Sequence, residues 1–398
     1  MGRSSVVRPL TGITVVALEQ AVATPFASRQ LADLGARVIK IERPGSGDFA
    51  RGYDETVKGL SSHFVWLNRS KESLTLDLKR EEGKAVLHRL LEGADVFMQN
   101  LAPGAAERLG FGAGALRARH PALIVCNLSG YGSSGPYRDK KAYDLLVQAE
   151  AGLLSITGSE EVPSKAGISV ADIAGGMYAF SGVLTALYHR ANSGEGTVIE
   201  VSLFEALAEW MGYPAYYTLY GGSAPPRSGA MHATIAPYGP FATGDGKHIL
   251  LGIQNEREWR RFCGLVLGRP DLAGDPRFKG NAERVRNREA LHEVIAGVFA
   301  GLALEGVEAR LAEAAIAHAQ MRTVDEFLAH PSLAARGRWA EVASPVGPLK
   351  TLLPPVMMAG AEAVLGPIPE VGEHTETILA ELGYSEEGIA ELRRVGVI

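Results

Sequence analysis

The stretch GITVVALEQAVATPFASRQLADLGARVIKIE, residues 12–42, carries the reading from which the fold follows. Gly12 to Leu18 (GITVVAL) is a short apolar run without alternation, the pattern of a strand covered on both faces. Pro25 to Leu34 places its apolar residues at helical spacing. Ala36 to Glu42 (ARVIKIE) reads as a second strand, stopped by Pro44 and Gly45. Strand, helix and strand in immediate succession predict a parallel sheet with helices on its faces. The turn after the first strand, EQAVATP, holds no glycine. A dinucleotide fingerprint uses glycines there to let the backbone approach a pyrophosphate, so nicotinamide or flavin binding is not expected.

The same alternation continues outward. Ser73 to Leu78 alternates, Glu81 to Glu92 is helical in pattern, and Ala94 to Gln99 and Ala122 to Leu128 are further strands. A Gly/Ser/Pro-rich loop, Ser129 to Pro136, follows a strand end, where such sheets line their ligand crevice. A long helix is predicted from about Ile173 to Arg190, then a strand at Thr197 to Leu203 and a helix to about Tyr220. GGSAPPRSG, 221–229, is a linker by composition, after which one hairpin (Tyr238 to Ile253) and several charged helices appear. A polar helix is expected near Thr375 to Leu382. The predicted organisation is a large α/β, Rossmann-like domain over 1–223, a smaller α+β domain over 224–330, and a C-terminal segment over 331–398 that returns to the large domain.

At 398 residues, with a formal net charge of −5 and no Lys/Arg block, the chain does not read as a nucleic-acid binder. The N-terminal MGRSSVVRPL does not read as a secretory signal, and no apolar run reaches the roughly 18 residues needed to span a bilayer, so a cytoplasmic protein with no membrane partner is expected. The two cysteines, Cys126 and Cys263, lie in apolar surroundings and read as buried structural thiols. No HExxH or close histidine cluster suggests a metal.

Chemistry concentrates in AGISVADIAGGMYAFSGVLTALYHR, 166–190, which sets Asp172 just before the long apolar helix. One reading makes Asp172 a helix N-cap, an interaction of about 1 kcal/mol. The other begins from Gly175 and Gly176, each costing about 1 kcal/mol relative to alanine in a helix, which suggests that something large approaches the backbone. A carboxylate, with a reference pKa near 3.9, is ionised at neutral pH without a partner base. It could therefore attack a thioester to give a mixed anhydride and a thiolate.

Phrases along nearly the whole chain resemble family III CoA-transferases, the group that includes formyl-CoA, carnitine and succinyl-CoA:dicarboxylate CoA-transferases. They are LADLGARVIKIERPGSGD (31–48), LNRSKESLTLDLK (67–79), QNLAPG with ERLGF nearby (99–111), SGYGSSGPY (129–137), AYDLLVQAEAGLLSITG (142–158), the Asp172 segment, HATIAPYGPFATGDGK (232–247), DPRF (275–278) and GEHTETILAELGYS (372–385). The resemblance implies that Asp172 is a covalent nucleophile. It implies that CoA is contacted at Ala21, Val22, Arg43, Lys71, Asn100, Leu101, Arg108 and Lys141, with acyl-CoA and a free carboxylic acid as substrates. No tightly bound cofactor is implied. It also implies a homodimer of two interlocked chains, with the site between one chain's large domain and the other's small domain. Arg43, Lys71 and Lys141 could instead be ordinary surface charges. The family phrase usually reads asparagine, aromatic, Arg or His, Pro, Gly, and here the aromatic and basic side chains are missing at Leu101 and Ala102.

The same fold hosts α-methylacyl-CoA racemases, which need proton carriers on both faces of the α-carbon. Their Gly-His-Asp phrase is matched by Ala142-Tyr143-Asp144, and tyrosine, with a reference pKa near 10, is a poor base at neutral pH. A third reading, a CoA-binding scaffold, requires an inaccessible Asp172. The phrase at 232–247 resembles succinyl-CoA:glutarate-type enzymes, which favours a C4–C5 dicarboxylate. Arg51, Arg69 and Arg227 are candidate cations for its second carboxylate, and each also reads as a surface residue. A gating role for Gly229 to Thr234 is a further expectation of the same kind.

Overall fold

A computed structural model describes residues 8–398. The described residues divide into two compact units: residues 8–151, 166–211 and 333–398 in the first, and 152–165 and 212–332 in the second. The helix predicted to run on to Tyr220 breaks at Met211, and its second half groups with the second unit.

The first unit is built on six strands: β1 (Thr14–Leu18), β2 (Arg37–Glu42), β3 (Lys71–Thr75), β4 (Val96–Gln99), β5 (Ile124–Ser129) and β6 (Val198–Ser202). They pair in the order β3-β2-β1-β4-β5-β6, every pair parallel. Helices α1 (Ala23–Asp33), α2 (Ser62–Leu67), α3 (Glu81–Leu91), α4 (Ala105–Leu109), α5 (Ala113–Arg119), α6 (Asp144–Glu150), α8 (Val170–Ser193) and α9 (Leu203–Trp210) belong to the same unit, while α7 (Leu153–Ile156) belongs to the second. The unbroken apolar run of β1 has its reason here. Val15 and Ala17 enter a core with residues of α1, α8 and α9, while Val16 and Leu18 enter the core on the other face. Strand order reverses between β1 and β4, and in open α/β sheets the crevice at that switch point takes the ligand.

The 24-residue α8 is long and apolar enough to cross a membrane by length and composition. In this fold its glycine side packs inward instead. A Cβ on Gly176 would lie 2.6 Å from the Ala23 carbonyl oxygen and 3.0 Å from the Phe26 ring, and one on Gly175 would lie 2.6 Å from Leu203. The large body that the paired glycines admit is therefore α1 and α9, not a ligand.

The C-terminal segment carries β10 (Trp339–Val342) paired antiparallel with β11 (Leu349–Leu352), then α17 (Thr375–Glu381) and α18 (Glu386–Arg394), once α15 (Val324–Leu328) and α16 (Pro331–Ala335) have passed. Ile378, Leu379, Ile389, Leu392 and Val397 complete the core that contains Val16 and Leu18. The second unit holds α10 (Gly212–Gly221), the antiparallel sheet β7 (Tyr238–Ala242), β8 (His248–Gly252) and β9 (Ala317–Gln320), and helices α11 (Glu256–Arg261), α12 (Asn281–Arg286), α13 (Arg288–Phe299) and α14 (Leu304–Glu313). Its core gathers Phe241, Ile249, Trp259, Phe262, Phe278 and Phe299. Cys126 and Cys263 are both buried, and burial pushes each thiol up to about 12, as structural thiols require.

Candidate active site

The turn after β1 does without glycine by straining an alanine. Ala21 adopts φ +62°, a left-handed conformation that costs a non-glycine residue roughly 1–2 kcal/mol. Its N–H donates to Asp48 Oδ1 at 3.1 Å, and Asp48 Oδ2 accepts from Lys40 Nζ at 2.8 Å. The neighbouring Gln20 exchanges two hydrogen bonds with the Asn100 side chain, at 2.9 and 2.8 Å, so the ends of β1 and β4 are tied together. Asn100 thus shapes the crevice rim with its amide already engaged.

Beside this rim lies a crevice of about 490 Å³ within the first unit. Ala21, Val22, Asn100, Leu101, Lys141 and Asp172 all line it. The structure corrects the placement of Asp172 as an N-cap. The helix begins at Val170, which puts Asp172 in its first turn, and the cap is supplied by another element. Asp144 Oδ1 accepts the N–H groups of Ala171 and Asp172 at 2.8 and 3.3 Å. With those donors taken, no hydrogen bond to the Asp172 carboxylate is made among the described residues. Burial, reinforced by the charge of Asp144, raises its pKa to about 7. Asp172 is therefore not the fully ionised group that its reference pKa implies. It is a more basic carboxylate that titrates near neutrality.

Tyr53, His63 and Tyr143 line the same crevice. Burial and the charges of Asp48 and Asp172 push the Tyr53 phenol up to about 12, which keeps its proton in place as a hydrogen-bond donor. His63 stands edge-on to Tyr53 at 5.4 Å, with Nδ1 3.7 Å from Asp54 Oδ2.

The remaining expected CoA contacts divide. Arg43 is exposed and lines an adjoining recess of about 420 Å³ together with Lys79, and Gln20 and Leu101 are common to both recesses. Lys71 does not face either one. Its ammonium is completely buried and donates to Glu19 Oε1, the Asn68 amide oxygen and the Pro25 carbonyl at 2.7, 3.0 and 3.1 Å. Burial outweighs Glu19 and pushes it down to about 8. The reason is positional: Lys71 opens β3, whereas parallel sheets present ligands with the C-terminal ends of their strands, and Lys79 lies beyond that end. Arg108 also stands outside both recesses, exposed and folded onto the Pro103 carbonyl at 3.3 Å.

Two of the cations considered for a second carboxylate are already committed. Arg51 pairs with Glu42 at 2.7 Å, and the buried Arg69 pairs with Asp33 at 2.8 Å and donates to Thr351. Arg227, in the second unit, donates to the Ser159 and Glu160 carbonyls. Sequence reasoning missed Lys79, Tyr53, His63 and the capping role of Asp144. Lys79 was the readable one, since it ends the quoted LDLK phrase just past a predicted strand.

Comparison with known proteins agrees with this geometry. Residues 10–375 match the model of CoA-transferase family III. An acyl-CoA transferase of Fusarium pseudograminearum is 35% identical over 98% of this chain and 88% of its own length. A succinate–glutarate CoA-transferase of Agrobacterium fabrum is 33% identical over 94% of this chain and 96% of its own. The crystal structure of a CAIB/BAIF family protein from Brucella suis superposes with a TM-score of 0.83 at 33% identity, covering 94% of this chain and 99% of that one. The chain belongs to CoA-transferase family III and is an acyl-CoA:carboxylate CoA-transferase.

Proposed function

We propose that the enzyme moves CoA from an acyl-CoA to a free C4–C5 dicarboxylic acid through covalent intermediates on Asp172. The observation that carries this reading is a carboxylate without a hydrogen-bond partner among the described residues, in the wall of a crevice at the β1/β4 switch point, its capping duty taken by Asp144. An Asp172 oxygen attacks the thioester carbon, the C–S bond breaks, and CoA leaves as the thiolate, giving a mixed anhydride. The thiolate attacks the aspartyl carbonyl, releases the donor acid, and leaves an aspartyl-CoA thioester. The acceptor carboxylate displaces CoA from that thioester to form a second anhydride. The thiolate then attacks the new acyl carbonyl and regenerates Asp172. Proton inventory is unchanged through the cycle, so no separate acid or base is required.

In this reading Arg43 and Lys79 meet the phosphates of CoA in their shared recess, where paired basic groups suit that charge. Lys141 replaces Arg51 and Arg69 as the candidate cation for the far carboxylate of the acceptor, with the His63 ring lining the same crevice. The Agrobacterium relative, named for succinate and glutarate, supports the choice of acceptor class. A dimer is part of the proposal. Tyr213, Tyr216, Leu219 and Tyr220 of α10 are more than half exposed, an aromatic surface that a second copy would cover.

The test mixes enzyme, succinyl-CoA and labelled glutarate, then examines the quenched protein by mass spectrometry. Labelled glutaryl-CoA and an adduct on the peptide containing Asp172 are expected, and Asp172→Ala is expected to lose both. Normal turnover by that variant excludes the covalent route. α-Proton exchange in heavy water without an acceptor acid would establish the racemase reading instead.

A further inference from the structure

A carboxylate in the first turn of a helix ordinarily gains from the unpaired N–H groups and the positive end of the dipole there. Asp172 occupies that turn without the gain. Both nearby donors, the N–H groups of Ala171 and Asp172, are taken by Asp144 Oδ1. Asp144 is itself held. Its Oδ2 accepts from Gln148 Nε2 at 2.7 Å, and Gln148, fully buried, accepts the Ala166 N–H with its own oxygen at 2.9 Å. The first element of α6 is thus locked against the start of α8 by a closed chain of hydrogen bonds, with a second negative charge beside the candidate nucleophile.

We infer that Asp144 is a positioning residue for CoA transfer, withholding the helix donors from Asp172 and repelling its ionised form, so that conversion to the neutral anhydride or thioester relieves the repulsion. The inference rests on the proposed role of Asp172 as the nucleophile. In the first step the Asp172 oxygen bonds to the acyl carbon and the negative charge leaves on the CoA sulfur, so one of two adjacent charges departs from the pair. A binding interaction that is unfavourable in the free enzyme and absent in the adduct favours the forward reaction. A more basic carboxylate is also the stronger nucleophile. The other titratable side chains that line the crevice are Tyr53, His63, Lys140, Lys141 and Tyr143. Lys140 is paired with Glu150, and the Tyr53 phenol, pushed up to about 12, stays uncharged at neutral pH. Lys141 and His63 share the crevice, but the charge that adds to burial in raising the Asp172 carboxyl is that of Asp144. Asp144 is the group that both bonds to the α8 backbone and carries a like charge.

The experiment compares wild type with Asp144→Asn, which retains an oxygen for the α8 donors but removes the charge. A second variant, D144N/Q148E, keeps a hydrogen bond at every link of the chain and moves the charge one turn along α6, off the group bonded to the α8 backbone. The readouts are the pH–rate profile for transfer from succinyl-CoA to labelled glutarate and the fraction of enzyme carrying the Asp172 adduct at steady state. For D144N the acid-side midpoint is expected to fall by about one pH unit, and the adduct fraction several-fold. For D144N/Q148E the shift has the same sign and a smaller size. A rate reduced equally at every pH, with the midpoint unmoved, marks Asp144 as structural only and overturns the inference. If wild type itself forms no adduct at Asp172, the reading beneath the inference fails, and that outcome is distinct from an adduct whose pH dependence ignores Asp144.

Discussion

At the scale of single residues, the molecule uses similar side chains for opposite ends. Lys71 and Lys79 stand eight positions apart in one phrase, yet the first is sealed in an ionic cluster with Glu19, Lys40 and Asp48 while the second is exposed beside Arg43. Lys71→Met is expected to destabilise the protein by about 3 kcal/mol, because Glu19 then loses a buried partner. Lys79→Ala is expected to raise the KM for acyl-CoA several-fold with no change in Tm. Chemical denaturation and steady-state kinetics on the two variants separate the roles. Asp172 makes a further prediction. Its folded pKa, about 7, is raised above the unfolded value, so its contribution to stability is full below about pH 4 and is lost as pH rises through 7. Asp172→Asn should therefore be more stable than wild type at pH 8 by on the order of a few kcal/mol, with the difference vanishing near pH 4, as thermal melts across that range would report. Wild-type transfer should rise with pH through about 7 as the carboxylate ionises.

At the scale of elements, α8 matters because it does two things at once. Its N-terminal turn presents Asp172 to the crevice, and Gly176 lets it approach α1, whose own start forms the Ala21–Val22 rim. Asp172 and the rim are thereby held by one helix–helix contact. Gly176→Ala tests this. Alanine would gain about 1 kcal/mol in helix propensity, but its Cβ would meet the Ala23 carbonyl oxygen at 2.6 Å. Backbone cannot yield as a flexible side chain does, and overpacking of this kind costs about 1–3 kcal/mol. The net expectation is a less stable enzyme with lower kcat, measured by urea unfolding and transfer assays. A stabilised G176A would show that the two helices are not in tight register.

At the scale of the molecule, the sheet of the first unit depends on residues far away in sequence. The outer strand β3 is bonded by the C-terminal segment: the Ser73 N–H donates to His374, the Thr75 N–H to Thr375, and the Asp77 N–H to the Val397 carbonyl. Such an edge, left bare, is a template for association. Deletion of residues 366–398 is expected to expose β3 and the apolar face completed by Ile378, Leu379, Ile389 and Leu392. Light scattering and far-UV circular dichroism should find an aggregated, partly folded protein rather than a smaller stable one.

Much of this was legible in order along the chain. The apolar runs and helical spacing of residues 12–42 determined parallel β1 and β2 with α1 between them, because periodicity is a local property. The motif phrases pointed to Asp172 and to most of the crevice rim. Tertiary structure decided what a local pattern cannot hold: that Asp144 caps α8, that Gly175 and Gly176 admit protein rather than ligand, and that Lys71 faces inward while Lys79 faces the recess. Each of these depends on which groups meet across the fold. Burial and a neighbouring charge, neither visible in a residue's own identity, then set how it ionises.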